Sequence, residues 1–190
     1  MTTLILLPHQ LYEKKYLPKV KEIIFYEHPF YFSRMNFNKK KLILHRASMK
    51  MHCDELNGKY IEFDKNLVIN KNTLLFDPID KDVYEEFKKN GVEFLESPNF
   101  LLTKEDYEKY RSKTDKFTFS PFYFYSKKIN NIIPNVKSKD QFNREVITEN
   151  IDIPELPSKT SKKEKEYIQE AIEYIEKHFK NNYGNTENFN

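Results

Sequence analysis

Short apolar runs, each closed by a turn or a proline, set the pattern of the first half of the chain. Leu4-Ile5-Leu6-Leu7 stops at Pro8 and has the length of a buried strand. Ile23-Ile24-Phe25-Tyr26 is a second such run, ending at Glu27 and Pro29. Across residues 37–56 the period changes. Leu42, His45, Met49, Cys53 and Leu56 recur at steps of three and four, which predicts the inner face of a helix. Asn57-Gly58 predicts its stop, with Gly58 taking the left-handed conformation beyond the end. Lys59 to Phe63 alternates as a strand does. Thr73 to Phe76 reads as another strand, ahead of Asp77-Pro78. Asp80 to Lys89 then predicts a helix with Val83, Tyr84 and Phe87 inward and Asn90-Gly91 at its end, and Val92 to Leu95 is again strand-like.

Strands and helices alternating in this order predict an α/β domain: a mainly parallel sheet with helices on both faces. Strands covered on both faces need not alternate in polarity, which agrees with the continuous apolar runs. In such sheets ligands sit beyond the carboxyl ends of the strands, near a topological switch point.

After residue 96 the character changes. Ser97-Pro98-Asn99-Phe100 predicts a turn, and Thr103 a helix cap with Asp106 three residues on. Phe117, Phe119, Phe122, Tyr123, Phe124 and Tyr125 form a dense aromatic stretch. Residues 134–160 carry Pro134, Pro154 and Pro157 and read as a linker. From Glu164 to Lys180 the pattern is amphipathic, with Tyr167, Ile168, Ala171, Ile172, Ile175 and Phe179 on one side.

Composition narrows the chemistry. The 190 residues suit one domain, or one domain with a tail, and 15% aromatics predict a folded body. With only 3 glycines there is no G-x-G-x-x-G or Walker-type loop, which argues against a conventional nucleotide-binding enzyme. The net charge of +3 is too slight to imply nucleic acid by itself. A single cysteine, Cys53, excludes an internal disulfide and any multi-cysteine metal or cluster site. A reducing, cytoplasmic compartment is the expectation. The start reads as neither a signal peptide nor a membrane span.

Gln10 and Glu27 fall at the carboxyl ends of adjacent predicted strands, where an amide and a carboxylate offer donors and acceptors to a polar heterocycle; the alternative is loop capping. Lys39, Lys40, Lys41 and Arg46 make a basic cluster at a helix start, read as a solvated face, with an anionic partner such as a phosphate backbone as the alternative. The aromatic stretch reads as core or domain interface rather than a stacking platform. His45, His52 and Cys53 share a helix without metal-ligand spacing, and Ser48 lacks an elbow motif, so buried structural roles are expected.

Taken in order, His9-Gln10-Leu11, Glu27, Lys39 to Leu42, His45 to Met49, Glu96 to Thr103, the aromatic helix and Gln141-Phe142-Asn143-Arg144 resemble the N-terminal domain of the deoxyribodipyrimidine photolyase-related proteins, a branch of the cryptochrome/photolyase superfamily. The tail from Phe179 to Asn185 is similar to the segment leading into that family's flavin domain. The resemblance implies a Rossmann-like domain over residues 1–133, a linker over 134–160 and, over 161–182, an amphipathic helix leading toward a flavin domain. It implies an antenna chromophore of the ribityllumazine kind, with His9, Gln10, Glu27 and Tyr31 as cofactor-binding residues. FAD and a four-cysteine iron–sulfur cluster would belong to a separate helical partner domain, and DNA would be met only indirectly. Pro8-His9 stands where the family commonly has Gly-Asp, which removes one hydrogen-bond acceptor.

Overall fold

The computed structural model describes residues 2–114, 118–131, 152 and 161–187. Gln141 to Arg144 and nearly all of the 134–160 segment lie outside the described residues. The chain divides into two compact units, one made of residues 1–97 and 159–190, the other of 98–158.

The first unit is an α/β Rossmann-like domain. Strands β1 (Thr3–Leu6), β2 (Glu22–Tyr26), β3 (Lys59–Ile61), β4 (Thr73–Phe76) and β5 (Glu93–Leu95) form one sheet in the order β3-β2-β1-β4-β5. Every pairing is parallel. Central β1 is buried along its whole length, with Ile5 flanked by Ile24 and Leu75. Its side chains serve two cores, because successive residues of a strand face opposite sides. Leu4 and Leu6 join Phe25, Leu42, Ile43, Met49, Ala171, Ile175 and Phe179 on one face. Ile5 and Leu7 join Ile24, Leu75, Val83 and Phe87 on the other. Both faces are therefore apolar, as the continuous runs required.

Helix α1 (Pro29–Phe32) is a single turn after β2, and α2 (Lys39–Glu55) is the long crossover to β3. Helix α3 (Lys81–Lys89) covers the second face through Val83 and Phe87. Helix α6 (Lys162–His178) packs on α2 and contributes Ala171 and Ile175 to the first core. A reciprocal cap starts α6: Ser161 accepts from the Glu164 N–H, and the Glu164 carboxylate accepts from the Ser161 N–H.

The end of α2 differs from the expectation. Asn57, with φ 51°, takes the left-handed conformation, not Gly58. Gly58 answers a different need: a Cβ there would lie 2.8 Å from the Phe25 ring. The close approach of that turn to the sheet, not backbone handedness, demands the glycine.

The second unit contains α4 (Lys104–Arg111) and α5 (Phe119–Asn130). Thr103 and Asp106 form the reciprocal cap of α4, the aspartate serving where glutamate is commoner. Phe122 and Tyr125 each lie 5.1 Å, centroid to centroid, from Tyr110 of α4. Phe119, Tyr123 and Phe124 are exposed.

Candidate functional site

From β1 the chain steps outward to β2 and β3, then returns across β1 to begin β4, so the connections diverge between the carboxyl ends of β1 and β4. That is where an open α/β sheet leaves a crevice. Four sequence-derived residues, His9, Gln10, Glu27 and Tyr31, lie at this edge, in two different situations.

Gln10 and Glu27 are fully buried and engaged internally. The Gln10 amide donates to the Phe76 carbonyl at 2.8 Å, and its oxygen accepts from the Leu7 N–H at 3.3 Å. It ties the end of β1 to the end of β4. Glu27 accepts from Arg46 Nη1 at 2.7 Å, the Tyr60 hydroxyl at 2.6 Å and the Phe63 N–H at 3.2 Å. Burial pushes the Glu27 carboxyl above its ordinary range, and Arg46, Tyr60 and Phe63 draw it part of the way back.

His9 and Tyr31 are half-buried and touch, with ring centroids 4.9 Å apart. The Tyr31 hydroxyl donates to Asp80 at 2.8 Å. Asp80 sits at the N-cap of α3 but makes no capping bond; its carboxylate is turned to Tyr31 instead. His9 Nε2 is buried without a hydrogen-bond partner. Burial lowers the His9 imidazole, against the raising effects of Asp80 and the Pro78 carbonyl. Between Pro78 and Asp80, Ile79 has φ 69°, a left-handed conformation that a β-branched residue rarely takes. Neither Asp80 nor Ile79 is singled out by local pattern; the one available signal is an acid just beyond a predicted strand end.

The basic cluster at the start of α2 is divided: Lys40 and Lys41 are exposed as a solvated face would be, but Lys39 and Arg46 are buried. Lys39 is 8% exposed and pairs with Glu176 at 3.0 Å, and Arg46 is 1% exposed. Arg46 reaches three carboxylates: Glu27 and Glu170 at 2.7 Å and Glu62 at 3.0 Å. Its guanidinium lies 3.3 Å from the centre of the Tyr174 ring. Burial alone would lower its pKa, but the carboxylates raise it further than burial lowers it, so its charge is secure. An external phosphate is not needed to neutralise it.

His45 lies beside the crevice, against Phe32. Burial, helped by Lys41 and His9, holds its pKa down to about 4. An unfolded chain titrates near 6.5, so below that value it takes up a proton the folded protein refuses. Stability therefore falls as pH drops from 6.5 to about 4, by up to about 3 kcal/mol at about 1.4 kcal/mol per unit. His9 and His28, both lowered by burial, act in the same direction. Urea denaturation at the two ends of that range is expected to show the loss, and His45→Gln to flatten it; an unchanged slope would assign the titration elsewhere.

A family model described as deoxyribodipyrimidine photo-lyase-related protein matches residues 68–190. The chain belongs to that family. No curated protein matches it. In this photolyase-related chain the matched span holds β4, α3 and α6, and with them Phe76, which accepts from Gln10, Asp80, which accepts from Tyr31, and Glu170, one of the three carboxylates on Arg46. His9, Gln10, Glu27 and Tyr31 precede it.

Cys53 is buried in the first core and its thiol is pushed up to about 11 by burial, which makes it unreactive. Among the described residues no group of three or more His, Cys, Asp or Glu is arranged to hold a metal ion. No described helix is long and apolar enough to cross a membrane.

Proposed function

We propose that this photolyase-related domain is a binding module, holding a planar polar heterocycle of the ribityllumazine kind at the carboxyl edge of its sheet and working beside a flavin-binding helical domain. The observation that carries this reading is His9 Nε2, buried and unpartnered beside Tyr31 at the switch point. A buried polar atom without a partner costs about 1–3 kcal/mol, and a ligand that completes its hydrogen bond recovers that cost. Ile79 supports it, since strained backbone of this kind clusters at binding sites. Within the site, His9 and Tyr31 contact the ring, Asp80 holds the Tyr31 hydroxyl, and Gln10 and Glu27 support the edge from behind. Bound pigment would supply light absorption; the photochemistry belongs to the flavin domain, and DNA is met through it.

A second reading, a ligand-free structural remnant, is favoured by the internal engagement of Gln10 and Glu27 and by Pro8-His9 in place of Gly-Asp. One measurement separates the two. Protein incubated with ribityllumazine and passed through gel filtration is expected to carry a red-shifted near-ultraviolet band. His9→Leu and Tyr31→Phe, which leave the core intact, are expected to weaken binding about tenfold each. Pigment-free wild-type protein would favour the remnant.

A further inference from the structure

Helix α2 carries its charges the wrong way round for a helix standing alone. Lys39, Lys40 and Lys41 open it, and Asp54 and Glu55 close it. Cations at the N-terminus and carboxylates at the C-terminus both oppose the helix dipole. Lys39 is answered within the chain by Glu176. Lys40 is exposed, and the Glu55 side chain is 53% exposed, with the His52 imidazole 3.2 Å away. The sheet side of α2 is taken by Leu42, Met49 and Cys53, and α6 takes a second side through Lys39, Arg46 and Lys50. Lys40, Leu44, Ala47, Ser48, Met51 and Glu55 follow at steps of three and four on the side that remains, a single stripe along about 22 Å of helix.

The middle of the stripe is apolar and indented. Leu44 is 57% exposed. Leu44, Ala47, Ser48 and Met51 line a cavity of about 200 Å³ together with Tyr167 and Ile168 of α6. The Ser48 hydroxyl donates to the Leu44 carbonyl at 2.6 Å, so it brings no unsatisfied donor to this face. The stripe is also self-complementary under reversal. Counted outward from the midpoint between Ala47 and Ser48, Leu44 and Met51 are equally distant, and so are Lys40 and Glu55. Two copies of α2 laid antiparallel about that midpoint set Leu44 on the partner's Met51 and Lys40 on the partner's Glu55. Small residues meet at the centre, where the two helices approach most closely. Lys41 and Asp54 are equally distant as well, although Asp54 already accepts from Tyr167 of its own chain. Each misplaced charge then faces an opposite charge and the opposite end of the partner's dipole. A two-fold contact requires this kind of self-complementarity, whereas parallel pairing would set Lys40 against Lys40.

We propose that the outward face of α2 docks a second copy of this chain, the two helices antiparallel about a two-fold axis at Ala47 and Ser48, with Leu44 on the partner's Met51 and Lys40 paired to the partner's Glu55. The apolar centre is small and the ion pairs are exposed, so the dimer is weak, of the class that buries less than about 1,200 Å². It does not depend on a ligand at His9 and Tyr31.

Sedimentation velocity of the whole chain, over roughly a hundredfold range of concentration, is expected to show a monomer–dimer equilibrium. Leu44→Asp is expected to abolish it. Lys40→Glu and Glu55→Lys each set like charges opposite one another at both ends of the contact, and each is expected to weaken the dimer about tenfold or more. Mixed together, these two variants bring opposite charges into register at both ends and are expected to associate about as tightly as the wild type. All three substitutions fall on exposed side chains, and the two charge reversals favour the dipole of the isolated helix, so the melting temperature of the monomer is expected to hold or rise. A wild-type chain that stays monomeric throughout leaves the face to another partner and overturns the proposal. So does a dimer indifferent to Leu44→Asp, which would lie on another surface. A mixture no tighter than either charge variant alone overturns the antiparallel register and the proposal with it.

Discussion

Ending the chain at residue 160 is expected to abolish the cooperative thermal unfolding transition of the protein. The helix removed is part of the first core: Ala171 and Ile175 are fully buried, Phe179 is 6% exposed, and all three join the cluster that includes Leu42, Ile43 and Phe25. Burial of an Ile or Phe side chain contributes about 1.5–3 kcal/mol. The cut also removes Glu170 and Tyr174 from Arg46 and Glu176 from Lys39. These losses together reach about 5 kcal/mol or more, the lower limit of a whole domain's stability of about 5–15 kcal/mol. A circular-dichroism melt of the shortened chain is expected to be broad and featureless, with aggregation through the bared face of α2. A sharp transition within a few degrees of the full chain would mean that α6 docks without stabilising the sheet.

Replacing Arg46 by Met is expected to cost about 3–5 kcal/mol, because it leaves the Glu27 carboxylate buried without its cation. Methionine fills the space of the guanidinium stem but returns none of its bonds to Glu27, Glu62 and Glu170. For a chain of this size the melting temperature should fall by roughly 10 °C. The damage comes from the orphaned charge more than from the lost pair, so Arg46→Met combined with Glu27→Leu should recover part of the loss, since well-packed apolar residues replace buried ion pairs at little cost. Glu170→Gln should cost less, because that carboxylate is 40% exposed and rehydrates. A double variant no more stable than Arg46→Met would mean that the volume and ring contacts of Arg46, rather than its charge, matter most.

Arg46 also marks the limit of local pattern. On the sequence it belongs with Lys39, Lys40 and Lys41 as a basic patch, and a patch of that kind is usually solvated. In the fold its three carboxylate partners come from 16, 19 and 124 positions away, on the strand ends and on α6. Periodicity finds that a helix has an inner face, but it cannot tell a buried cation from an exposed one when the compensating charges arrive from distant elements. His28 was invisible for the same reason: its burial depends on the packing of α1 against α3. Gly58 shows the converse, a residue whose place was legible but whose reason, the Phe25 ring behind it, was not.

The amino-acid sequence by itself determined the α/β class, the strands and their parallel arrangement, the helix caps at Thr103 and the absence of a Gly-rich phosphate loop. These follow from short-range facts: apolar runs of strand length, three-to-four spacing, and residue types that satisfy their own neighbouring backbone. It also placed Gln10 and Glu27 at the carboxyl ends of adjacent strands, since strand ends can be read from where apolar runs stop, while His9 and Tyr31 were added by the family resemblance. Only the tertiary structure decided which of these side chains are already occupied. Gln10 and Glu27 are saturated by Leu7, Phe76, Arg46, Tyr60 and Phe63, whereas His9 retains an unpartnered nitrogen. The difference is physical: a polar side chain's free bonding capacity depends on what folds against it, and that is set by contacts across the sheet rather than along the chain.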